Sequence, residues 1–230
     1  MWCMAELDQE YLGRMEDVLA LYEKPLSETE PVLCIDEKPV VMHARSPPTQ
    51  AHASGTSSSA RLRVRTPWHG QRVLRSGAKA GRHFTKVTNA RSSPEFADYL
   101  LDVAARYPEA DTIHLVMDNL SSHTRKAVVE RYGQKAGGWL WDRFRVHYTP
   151  KHGSWLNQAE IEISLFSRQC LGRRRIPSLG DLRREAKAWG RRMNRNRVTI
   201  DWRFTRKEAR FEVRLQKKPD YAVRDLVRAS

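Results

Sequence analysis

Val32-Leu33-Cys34-Ile35-Asp36-Glu37 and Ile113-His114-Leu115-Val116-Met117-Asp118-Asn119 decide how this chain folds. Each is an apolar run with β-branched residues that stops on an acid, as a buried strand does when it carries a carboxylate to the end of a sheet. A third acid follows in Trp155-Leu156-Asn157-Gln158-Ala159-Glu160, a helix-like run just after the turn Pro150-Lys151-His152-Gly153-Ser154. Three carboxylates from separate elements point to a hard-metal site.

Outward from these runs, Leu12, Met15, Val18, Leu19 and Tyr22 recur at helical spacing, which predicts a helix over residues 6–24 that Pro25 ends. A short strand is expected at His83 to Val87, then a helix from Pro94 to about Tyr107 with Ser93 as its N-cap. Ser121 or Ser122 is read as the cap of a further helix that reaches about Lys135 and ends at Gly137-Gly138. Arg143 to Tyr148 alternates like a strand, Trp155 to Leu171 reads as one helix, and a basic helix spans about Gly180 to Asn194 before a charged tail. Strands alternating with helices imply an α/β fold with the acids at strand ends, where open sheets place their sites. Residues 46–78, dominated by Ser, Pro, Arg and Gly, fit no element and are expected to be irregular.

The chain has 230 residues, 40% of them apolar, enough for one sizeable core. Lys and Arg number 41 against 27 Asp and Glu, a net charge of +14, so a polyanion is the expected partner, with nucleic acid ahead of an acidic membrane. Cys3, Cys34 and Cys170 are isolated, without the spacing of a zinc site or a disulfide framework, which fits a reducing cytosol. No apolar run approaches the roughly 18 residues of a membrane helix, so neither secretion nor membrane insertion is expected.

Mg²⁺ is bound through one or two carboxylates with waters and substrate phosphates, and phosphoryl transfer often uses two such ions about 3.5–4 Å apart. Asp36 and Asp118 are the first two candidate ligands. Glu160 and Glu162 compete to be the third: on a helical wheel they fall roughly 80° to either side of the apolar stripe, and periodicity does not choose between them. Glu160 is nearer the helix start. His123, His147 and His152 lack zinc-ligand spacing, and His123 or Lys151 is read as able to touch DNA phosphate. Arg168, Arg173, Arg174, Arg175, Arg183, Arg184, Arg191, Arg192, Arg195 and Arg197 form a basic belt around Trp189. Trp139, Trp141, Trp155 and Trp202 are read as core, and Gly133, Gly137 and Gly138 make no phosphate loop.

Cys34-Ile35-Asp36-Glu37-Lys38-Pro39, Met117-Asp118-Asn119-Leu120 with His123, and His147 through Glu160 resemble the catalytic core of bacterial insertion-sequence transposases. The similarity is to the insertion sequence 630 branch of the mariner-like superfamily, a DDE superfamily endonuclease, over residues 1 to about 43 and 78–215. It implies a ribonuclease-H-like mixed sheet flanked by helices and a DDE triad of Asp36, Asp118 and Glu160, which selects Glu160 as the third acid. It also implies a Mg²⁺ or Mn²⁺ cofactor and a homodimer acting in the bacterial cytoplasm, at the nucleoid. The partners would be double-stranded DNA of the transposon ends and the target, held by Lys151, His152, Arg173, Arg174, Arg175, Arg191 and Arg192. The family reaction is hydrolysis at transposon ends, then attack of the freed 3′-hydroxyl on target DNA. The implied organisation is an N-terminal helix and linker over 1–30, a catalytic domain over 31–200 with an aberrant insert at 46–78, and a basic tail over 201–230.

Two departures stand out. Family members begin with a helix-turn-helix region that reads the terminal repeats, and this chain is expected to start at or beyond its end. Over residues 46–78 the family has a Tyr-rich strand and a hydrophobic strand that pairs with the first. A neighbouring reading frame of residues 62–65 can spell Tyr-Glu-Tyr-Val, so a pair of compensating frameshifts, near 45–50 and near 77–79, is expected to have replaced those strands. Asp36 would then sit on an unsupported edge strand, and the rival function is a decayed remnant that binds DNA without cutting it.

Overall fold

The computed structural model describes residues 8–40, 73–74, 81–89, 92–120, 123–174 and 176–216. Its centre is a parallel sheet in which β4 (Ile113–Met117) lies between β1 (Val32–Cys34) and β5 (Phe144–Tyr148). The register pairs Leu33 with Leu115, Cys34 with Val116 and Met117 with Tyr148. A separate antiparallel ribbon joins β2 (Val73–Leu74) to β3 (Lys86–Val87). Otherwise the expectations for residues 46–78, including the altered reading frame, lie outside the described residues.

Strand alternation sends successive side chains to opposite faces, and here it builds two cores. Leu33, Ile35, Ile113, Leu115 and Met117 face α2 (Ser93–Ala104), α3 (Arg125–Tyr132) and α4 (Gln134–Asp142), packing on Phe96, Tyr99, Leu100, Val128 and Leu140. Cys34 and Val116 face the other way, onto Met15, Val18, Leu19 and Tyr22 of α1 (Gln9–Glu23) and Ala159 of α5 (Gln158–Phe166). Each of these large side chains contributes about 1.5–3 kcal/mol by leaving water. A third cluster holds α6 (Leu179–Arg195), through Leu182, Ala186, Trp189 and Met193, against Phe166 and Cys170. The charged tail of the sequence reading is helical over Arg206–Gln216, named α7, which docks on α1 through Arg206–Glu23 and Arg210–Glu16 pairs, each 2.7 Å. Those guanidiniums hold both carboxyls below their ordinary range.

Several sequence expectations need correction. The N-cap of α2 is Ser92 and not Ser93. Thr124, not Ser121 or Ser122, caps α3, accepting from the Ala127 amide. The helix break falls at Gly133, whose φ of +82° suits glycine, while Gly137 and Gly138 lie inside α4. Gly137 is there because the α3 backbone approaches so closely that a Cβ would meet Val128 O at 2.6 Å. The long helix read over 155–171 is a 3₁₀ turn at Ser154–Leu156, then α5, then a π turn at Ser167–Leu171. Trp139 and Trp155 are not core: they are 61% and 39% exposed, with Arg143 stacked over Trp139 and Phe204 edge-on to Trp155. Among the described residues, no helix is long and apolar enough to cross a membrane.

Candidate active site

Register brings the first two acids together. Cys34 pairs with Val116, and the Ile35 amide donates to Val116 O at 2.8 Å, so the next residues along, Asp36 and Asp118, leave the sheet side by side. Both are two residues beyond Cys34 and Val116, and therefore lie on the face covered by α1 and α5. Asp36 is turned inward, its Oδ1 accepting the Glu37 amide at 2.7 Å, whereas the Asp118 side chain is 41% exposed.

The third acid arrives on α5. Asn157 caps that helix by accepting from the Ala159 amide at 3.1 Å, and its Nδ2 donates to Ile35 O at 2.8 Å, so one side chain ties the helix start to the end of β1. Tyr22 adds a second tie: its hydroxyl donates to Leu156 O at 2.8 Å and lies 3.2 Å from Cys34 Sγ. The result sets Glu160, exposed in the first turn of α5, near enough for its charge to act on Asp36. Glu162 points elsewhere. It is buried, with Oε1 2.5 Å from His83 Nδ1, while His83 Nε2 lies 2.7 Å from Val198 O. The two glutamates that periodicity left equivalent thus have different surroundings, one beside Asp36 and one in a buried histidine pair.

Burial, with the neighbouring charges of Glu160 and Asp118, pushes the Asp36 carboxyl up to about 7. A proton held between crowded carboxylates is what a divalent cation displaces, so this donor set of hard oxygens fits Mg²⁺ or Mn²⁺. Among the described residues no three ligating side chains are spaced as a ready-made cage. Asp36, Asp118 and Glu160 are therefore neighbours whose charges act on one another, and not a closed set of three ligands.

His123 corrects the sequence reading. It is 1% exposed and unavailable to a phosphate; its ring stacks on Phe96 at 4.5 Å, with Nε2 3.1 Å from Glu37 Oε1 and Nδ1 3.0 Å from Asp118 Oδ1. The contact to Asp118 is close but lacks the alignment of a hydrogen bond. Lys151 and His152 are exposed and share with Asp118, Asn119 and Arg14 the wall of a cavity of about 790 Å³. Arg173, Arg174, Arg191 and Arg192 are exposed, and Arg175 lies outside the described residues. Arg174 is partly engaged, pairing with Glu185 at 3.0 Å and with Cys170 O, and Arg192 reaches Gln169 at 3.4 Å. Sequence reasoning gave no role to Glu37, Asn157 or Tyr22; Asn157 had a signal, standing where an N-cap precedes an apolar helix.

Residues 31–183 match the family model described as DDE superfamily endonuclease. No curated protein matches the chain. Among solved structures, the chain is similar to the Mos1 transposase paired-end complex with left transposon end, at 14% identity and a TM-score of 0.51, covering 86% of this chain and 61% of that one. It is similar also to the Mos1 strand transfer complex, at 14% identity and a TM-score of 0.52, covering 86% and 60%. The chain thus spans about 60% of the length of these structures, and the likeness bears out the ribonuclease-H-like α/β fold.

Proposed function

This chain belongs to the DDE superfamily endonuclease family, and from that premise we propose that it carries out metal-dependent cleavage and strand transfer of DNA at transposon ends. Asp36, Asp118 and Glu160 are the acids that hold the divalent ion. The single observation that supports this most is the setting of Asp36, where burial first and the charges of Glu160 and Asp118 next push its carboxyl up to about 7, in a chain whose net charge is +14. When bound, the ion polarises the scissile phosphate and lowers the pKa of an attacking water or 3′-hydroxyl. The chain's own residues do the rest. Asn157 holds α5 against β1, so that Glu160 stays beside Asp36. Lys151 and His152, on the rim by Asp118, bind backbone phosphates and orient the strand entering the site. Arg173, Arg174, Arg175, Arg191 and Arg192 extend this contact along the duplex. Two copies acting together on paired ends, in a bacterial cytoplasm at the nucleoid, complete the reading, with the insertion sequence 630 branch as the nearest subfamily and 31–200 as the catalytic domain.

One observation favours a second reading, a remnant that binds DNA without cutting it. Among the described residues β1 is a three-residue strand paired on one side alone, so Asp36 leans on few backbone bonds. Cleavage of a supercoiled plasmid carrying the element's ends, with Mn²⁺, separates the two. Cutting that disappears in Asp118→Ala is expected; binding without cutting, with a steep salt dependence, would establish the remnant.

A further inference from the structure

We propose that Glu37 and His123 are a positioning pair that sets the spacing of Asp36 and Asp118, an inference that rests on the triad proposed above. The contacts form one continuous chain between the ends of two strands. The Glu37 amide donates to Asp36 Oδ1 at 2.7 Å, fixing that carboxyl. The Glu37 side chain, 6% exposed, meets His123 Nε2 at 3.1 Å, and His123 Nδ1 stands 3.0 Å from Asp118 Oδ1. The residue is held further: Phe96 stacks on its ring, its backbone amide donates to Leu120 O at 2.9 Å, and Tyr148 Oη donates to its backbone carbonyl at 3.3 Å.

A merely structural explanation is weak here. Burying a carboxylate and an imidazole costs more than burying apolar groups of the same volume, so stability alone does not select this pair. What the pair supplies is a fixed distance between the two strand ends. One oxygen of each aspartate has a neighbour on the protein side, the Glu37 amide at Asp36 and the His123 ring at Asp118. Groups of this kind behind metal ligands typically contribute roughly 10- to 100-fold to metal affinity.

The test is an electron paramagnetic resonance titration of Mn²⁺ into the full chain without DNA, with the melting temperature followed in parallel. Glu37→Gln and His123→Ala are expected to weaken Mn²⁺ binding roughly 10- to 100-fold, and His123→Asn, which keeps a polar group between Glu37 and Asp118, to recover part of the loss. Asp36→Asn separates this inference from the triad. If it abolishes binding while Glu37→Gln and His123→Ala bind as the parent does, the positioning pair is overturned and the triad stands. If Asp36→Asn binds as the parent does, the triad fails and the pair falls with it. Should either first variant not melt cooperatively, Phe96→Leu, which loosens the ring and keeps every carboxylate, takes its place: weakened binding is expected, and unchanged binding overturns the inference.

Discussion

Asp36 and Asp118 stand side by side, yet the two arms that carry them are built differently. Asp118 ends a five-residue strand, buried at every position and paired on both sides. Asp36 ends a three-residue strand whose only partner among the described residues is β4. What the β1 arm lacks in ladder it gains in side-chain ties: Asn157 to Ile35 O, Tyr22 to Leu156 O, and Glu37 to His123. The difference teaches that an active-site acid can be placed by a sheet or by a network, and that the network leaves its acid more buried and more crowded.

The largest effects should come from the core, and they should be unequal. Leu115 and Leu33 are 0% and 1% exposed and pair across the register. Leu115→Ala, in the strand that cannot relax, is expected to cost about 4–5 kcal/mol, and Leu33→Ala, at the edge, about 3 kcal/mol. Equal losses in chemical denaturation would erase the contrast between the arms. Next is the dependence on pH. In the folded chain Asp36 titrates near 7 against an ordinary 3.8, so the folded state keeps a proton that the unfolded state has released. The stability this confers is complete below about pH 4 and lost as pH rises to about 7, on the order of 1–3 kcal/mol. Metal-free melts of the parent should fall relative to Asp36→Asn over that window; a constant difference would show that Asp36 is not crowded. Smaller again is Asn157→Ala, expected to cost about 1–2 kcal/mol through its lost cap. It should also bring the Asp36 titration down toward the ordinary range, because Glu160 is no longer held beside it.

Much of this was legible in the sequence where the signal is local. Apolar runs ending on Asp36 and Asp118 gave both strands, and the spacing of Met15, Val18, Leu19 and Tyr22 gave α1. What was not legible depends on partners far along the chain. Glu160 and Glu162 look alike on a wheel, and their surroundings differ because His83, from a segment about eighty residues earlier, occupies Glu162. Gly137-Gly138 read as a stop because glycine usually ends helices, whereas here Gly137 admits the α3 backbone. His123 read as a phosphate ligand because nothing in its neighbours announces that Phe96 and Glu37 will bury it. The nucleotide sequence covering residues 45–79 tests the altered frame: a hydrophobic strand in the shifted frame is expected, and its absence would make the segment a genuine loop.

The convergence of the three acids is tested most directly by carboxyl carbon NMR of Asp36, titrated with and without Mg²⁺. The account predicts a midpoint near 7 in the free chain, displaced well downward when Mg²⁺ is present. A midpoint near that of an ordinary aspartate, unmoved by Mg²⁺, would contradict it.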